Sequence, residues 1–126
     1  LPNGSRVFVV EDKRTPLVSF TVSVRAGTLF EPGDKRGVAE LVSASLQEGT
    51  KSYTADQIAE LLDRTGASLS ASAGAERTTV TLSCLVDDAD ELLPVLYETV
   101  YAPVFPADKV ARVRTRAVAG ATARKS

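Results

Sequence analysis

The chain has 126 residues, with 15 Lys and Arg against 16 Asp and Glu, one Cys, and no His, Met or Trp. Without imidazole it can build no His-dependent serine or cysteine triad, no His-ligated metal and no His proton shuttle. One Cys allows no internal disulfide, no apolar run approaches the ~18 residues of a membrane span, and the length suits one domain around one core.

Arg6 to Val10 is short, apolar and rich in β-branched residues, which predicts a strand, and Pro16 separates it from the next. In Leu17 to Ala26, Val18, Phe20, Val22, Val24 and Ala26 alternate with Ser19, Thr21, Ser23 and Arg25. That period of two belongs to a sheet buried on one face. Gly27 to Gly37 carries three glycines, a proline and a cluster of charges, and predicts a loop.

The period changes at Val38. Val38, Leu41, Val42, Ser45 and Leu46 form one helical stripe that runs to Gln47, with Gly49 as its stop. A second helix opens at Thr54, whose hydroxyl can cap it while Gln57 reaches back. Ile58, Leu61, Leu62 and Thr65 supply its inner stripe, and Gly66 suits a left-handed end. Ala67, Leu69, Ala71 and Ala73 alternate with Ser68, Ser70 and Ser72, giving a strand with almost no bulk. Val80, Leu82, Cys84 and Val86 against Thr79, Thr81 and Ser83 give a better-packed partner, with Cys84 on its apolar face as a small hydrophobe.

Asp87, Asp88 and Asp90 crowd the start of a third helix, where carboxylates suit the dipole. Pro94 removes an interior hydrogen bond there and calls for a late start or a kink. Pro103 and Pro106 precede a final basic helix. From Lys109 onward stand Lys109, Arg112, Arg114, Arg116, Arg124 and Lys125 with no acidic residue. Such a helix could bind nucleic acid or anionic lipid. The spacing of Lys109, Arg112 and Arg116 opposite Val110, Val113, Ala117 and Ala121 favours a solvated face, and the absence of aromatic residues argues against a nucleic-acid partner. The order strand, strand, helix, helix, strand, strand, helix, helix predicts an α+β fold, an antiparallel sheet with helices packed on one face.

The remaining candidates for chemistry are the carboxylates Glu40 and Glu48, the hydroxyl of Ser43, and the serine-rich strand. By residue type alone each has an ordinary structural role. Three stretches, however, resemble the N-terminal part of the insulinase-like metallopeptidases, the pitrilysin and mitochondrial-processing-peptidase family. They are GVAELVSASLQEGT at Gly37 to Thr50, DRTGASLSASAGAERTTVTLS at Asp63 to Ser83, and YAPVFPADKVARVR at Tyr101 to Arg114. The first resembles GLAHLLEHMLFKGT, in which an inverted zinc motif HxxEH lies on a helix, and Gly37, Ala39, Leu41, Leu46, Gly49 and Thr50 match it.

The positions that carry the family's chemistry do not match. Glu40 stands at the first zinc histidine, Ser43 at the glutamate base and Ala44 at the second histidine. The third ligand, a glutamate on the helix after the Phe105–Pro106 pair, aligns with Gly120, and no acidic residue follows Asp108. A catalytic zinc takes three protein ligands, and its water needs a base. The resemblance therefore implies a chain with no metal and no peptidase activity of its own. It implies as partner a zinc-bearing homologous subunit, or self-association through an uncovered face. It also implies that residues 1–126 form the first part of one family domain, with the rest of that domain and a second, similar domain outside them. In active members the strand after the second helix offers its edge to an extended substrate, which here points to Leu69, Ser70, Ala71 and Ser72 as peptide-binding. Ser70 stands where members commonly carry asparagine.

Overall fold

A computed structural model describes residues 1–125, apart from the side chain of Lys125. Strand β1 (Leu17–Val24) leads through a single 3-10 turn at Thr28–Phe30 into helix α1 (Val38–Ser45). Helix α2 (Ala55–Thr65), strands β2 (Ser68–Ala73) and β3 (Thr78–Leu85), and helices α3 (Ala89–Tyr101) and α4 (Ala107–Lys125) follow. The three strands form one antiparallel sheet in the order β1-β3-β2. The α+β architecture matches the sequence expectation, with one strand fewer.

That missing strand is Arg6–Val10. The segment lies in no regular element and pairs with nothing among the described residues, and Val7, Phe8, Val9 and Val10 are 65%, 85%, 85% and 93% exposed. Strand propensity is largely a readout of packing against neighbours. Here no neighbour lies beside the segment, so β-branched composition alone does not make a strand.

Alternation works where a partner exists. β3 runs through the centre, with Phe20 opposite Leu82 on one side and Leu69 opposite Leu82 on the other. Val80, Leu82, Cys84 and Leu69 turn to the helices and join Leu46, Ile58, Leu92, Val95 and Leu96 in one core. Val18, Phe20 and Val22 pack at its margin. The other face of the sheet carries hydroxyls in register: Ser19, Ser83 and Ser68 in one row, Thr21, Thr81 and Ser70 in the next, then Ser23, Thr79 and Ser72. Ser19 Oγ lies 2.8 Å from Ser83 Oγ, and Thr21 Oγ1 lies 3.2 Å from Thr81 Oγ1.

Helix ends follow their chemistry. Thr54 and Gln57 form a reciprocal capping box on α2, and Gly66 takes the left-handed conformation that closes it (φ 65°). α1 is shorter than its apolar stripe. After Ser45 the chain tightens into i→i+3 bonds, Leu46 N–H to the Ser43 carbonyl and Glu48 N–H to the Ser45 carbonyl. At the third helix a 3-10 turn over Val86–Asp88 takes the first acidic residues, so the α-helix begins late, at Ala89, with Pro94 inside it. Pro94 is exposed, so the carbonyl it leaves without an amide partner can face water.

Candidate functional site

The site the sequence points to lies where α1, β2 and α4 meet. α1 packs against both β2 and α4, and two carboxylates hold its ends. Glu31, in the loop before α1, accepts the Gly37 amide at 2.9 Å and the Ala39 amide at 2.7 Å. The helix start thus receives a carboxylate from outside it, in place of a capping side chain at Gly37, which has φ 91°. The Ala39 amide first, then the Gly37 amide, hold the Glu31 carboxyl below its ordinary range. Past the other end, Glu98 on α3 accepts the Thr50 hydroxyl at 2.8 Å and the Ser52 amide at 2.9 Å. The Ser52 hydroxyl and then the Thr50 hydroxyl lower its carboxyl as well. Further backbone bonds tie this turn to the α3–α4 link, from Lys51 N–H to the Ala102 carbonyl and from Val104 N–H to the Gly49 carbonyl. The matching residues Gly49 and Thr50 are therefore framework: Thr50 is buried, and Gly49 at φ 137° turns the chain back.

Within this frame the three motif positions present little chemistry. Glu40 and Ala44 are exposed on α1, one turn apart. Ser43 is buried, and its Oγ donates to the Glu40 carbonyl at 2.9 Å, so the hydroxyl is engaged with its own helix. Gly120 is exposed on α4, and a Cβ built there would meet nothing within 4 Å. Zinc needs imidazole, thiolate or carboxylate donors converging at about 2.0–2.3 Å. Methyl, hydrogen and an engaged hydroxyl do not fit it, and one exposed carboxylate supplies a single ligand. Among the described residues no group of three His, Cys, Asp or Glu side chains comes together.

The strand proposed for peptide contact is at a sheet edge, since among the described residues β2 pairs only with β3. Ser70 and Ser72 are exposed, Ala71 is half-buried, and the Leu69 side chain enters the core. The edge is not wholly open. Gln47, just past α1, donates its Nε2 to the Leu69 carbonyl at 2.9 Å. Gln47 and Glu31 escaped the sequence reading because each acts across a fold-determined gap. Gln47 does carry one legible signal: it replaces the phenylalanine of the motif quoted above.

The basic C-terminal helix lines a cleft of about 540 Å³ with Lys109, Arg112 and Arg116, while Asp56 and Asp63 of α2 contribute acidic lining. A polyanion selects a surface of one sign, and this cleft has both. Cys84 is buried in the core, and burial raises its thiol pKa, the chemistry of an inert thiol.

The sequence matches the family model described as Insulinase (Peptidase family M16) over residues 6–123. A protein of Helicobacter pylori named non-peptidase homolog YmxG is 28% identical over 126 residues, covering 98% of this chain and 29% of its own. Mitochondrial-processing peptidase subunit alpha-1 of Dictyostelium discoideum is 26% identical over 110 residues, covering 87% and 17%. The crystal structure of a peptidase M16 inactive domain from Pseudomonas fluorescens superposes with a TM-score of 0.81 at 30% identity, covering 88% of this chain and 27% of that one. The chain spans less than a third of the length of these relatives. Matched over nearly all its length, and folded like an inactive domain of the same group, the chain belongs to the insulinase family, peptidase family M16.

Proposed function

We propose that this chain is a peptidase-like subunit without catalysis of its own, which pairs with a zinc-bearing homologue and offers the β2 edge to peptide. The observation that carries this reading is helix α1. Its frame is kept by Glu31, Gly49, Thr50 and Glu98, while the motif positions hold Glu40, a buried Ser43 and Ala44. A fold that keeps the helix and drops the donors supports a role in assembly or binding. The relatives named as a non-peptidase homolog and an inactive domain support the loss of catalysis. The relative named as one subunit of a processing peptidase supports pairing.

The test is to mix the purified chain with a zinc-bearing homologue and measure both association and peptide cleavage. Expected are a sedimenting complex, a changed kcat/KM of the partner, and no stoichiometric zinc or turnover in this chain alone. Stoichiometric zinc with turnover in the isolated chain would overturn the reading. Absence of both association and any kinetic change would remove the pairing.

A further inference from the structure

The edge of β2 carries a bond with a direct bearing on what can add to it. Backbone groups of successive residues in an antiparallel strand point alternately to its two sides. The Leu69 carbonyl points away from β3, because it meets Gln47 on the α1 side. Ala71 and Ala73 share that direction by the period of two. The opposite phase is fixed at the hairpin, where Gly74 N–H donates to the Arg77 carbonyl of the returning chain. Beyond the strand, the Gly74 and Ala75 carbonyls are taken by the amides of Thr28 and Leu29. Gly27 lets that loop sit so close: a Cβ there would come within 2.3 Å of the Ala75 carbonyl oxygen. Loop Gly27–Leu29 thus closes one end of β2 and Gln47 closes the other. Between them the outward amides and carbonyls of Ala71 and Ala73 make no hydrogen bond to a side chain or loop among the described residues.

From this geometry we infer that Gln47 is the gate of the β2 edge. Its carboxamide donor holds the Leu69 carbonyl, so an extended peptide pairs with Ala71 and Ala73 and is denied the Leu69 position. Gln47 therefore sets where a bound peptide begins. This inference rests on the reading of β2 as a peptide-binding edge. Loss of the donor exposes one further pairing position, and one net hydrogen bond corresponds to roughly two- to tenfold in affinity.

The probe is a short blocked peptide of alternating valine and threonine, read by its affinity and by amide-exchange protection of the full chain. With the wild type, Ala71 and Ala73 amides gain protection and Leu69 does not. Gln47→Ala and Gln47→Glu, which lack a donor, bind roughly two- to tenfold tighter and extend protection to Leu69. Gln47→Lys retains a donor and behaves as wild type. Protection of Leu69 in the wild type, or equal affinity of the wild type and the donorless variants, overturns the gate and leaves the edge reading standing. The wild-type protection pattern decides this even if a variant misfolds. No affinity in any of the four proteins overturns both.

Discussion

A single side chain outside α1 decides how that helix begins. Glu31 reaches the amides of Gly37 and Ala39 from the preceding loop, and those bonds favour its charged form. A carboxyl held low in the folded state contributes stability that is present above its unfolded value. That contribution is lost as pH falls through the lower, folded value. Glu31→Gln is therefore expected to lower the melting temperature at neutral pH, with the difference from wild type shrinking in acid. Thermal scans of both proteins across the acid range check this, and a difference that persists unchanged into strong acid would refute the role. Such a carboxylate is hard to see in the sequence. It caps a helix that starts several residues later, across a proline and two glycines, whereas Thr54 caps its own helix at the adjacent residue.

At the scale of elements, α2 shows what local chemistry contributes and what packing contributes. Thr54→Ala removes the capping box and is expected to cost about 1 kcal/mol. Ile58→Ala empties a site that is 1% exposed and is expected to cost roughly 2–5 kcal/mol. Urea denaturation of both variants tests the ranking, and a cap that outweighs the core would contradict it. The elements readable from sequence are those whose cause is short-range. Thr54 with Gln57, Gly66, and the alternation through Val18, Phe20 and Val22 all appear in the structure where the residues place them. Elements that depend on a distant partner were not readable. Arg6–Val10 has a strand's composition and no neighbour, and the β2 edge owes its closure to Gln47, 22 residues before Leu69. For the site, the sequence shows which residues stand at the matched motif positions, Glu40, Ser43 and Ala44. The placement of Ser43 inward, against the Glu40 carbonyl, was not legible in it.

The molecule as a whole shows two contrasting surfaces. Val7, Phe8, Val9 and Val10 form an exposed apolar run with unpaired backbone, the kind of segment that other chains can template on. Concentrated samples are expected to scatter light increasingly with time. Val9→Lys, which puts a charge in the middle of the run, is expected to slow that growth without shifting the melting temperature. An unchanged scattering rate would acquit the segment. The sheet's open face is different in kind. Ser19, Thr21 and Ser23 stand beside Ser83, Thr81 and Thr79, and these beside Ser68, Ser70 and Ser72. Each hydroxyl can rotate to donate or accept, so the rows can redraw their bonds without any backbone movement. None of these groups ionises near neutral pH. A contact made on this face would therefore hold nearly the same strength in dilute and concentrated salt and across the neutral range. Within this one chain, the hydroxyl face would be deaf to ionic conditions that the basic C-terminal helix hears well.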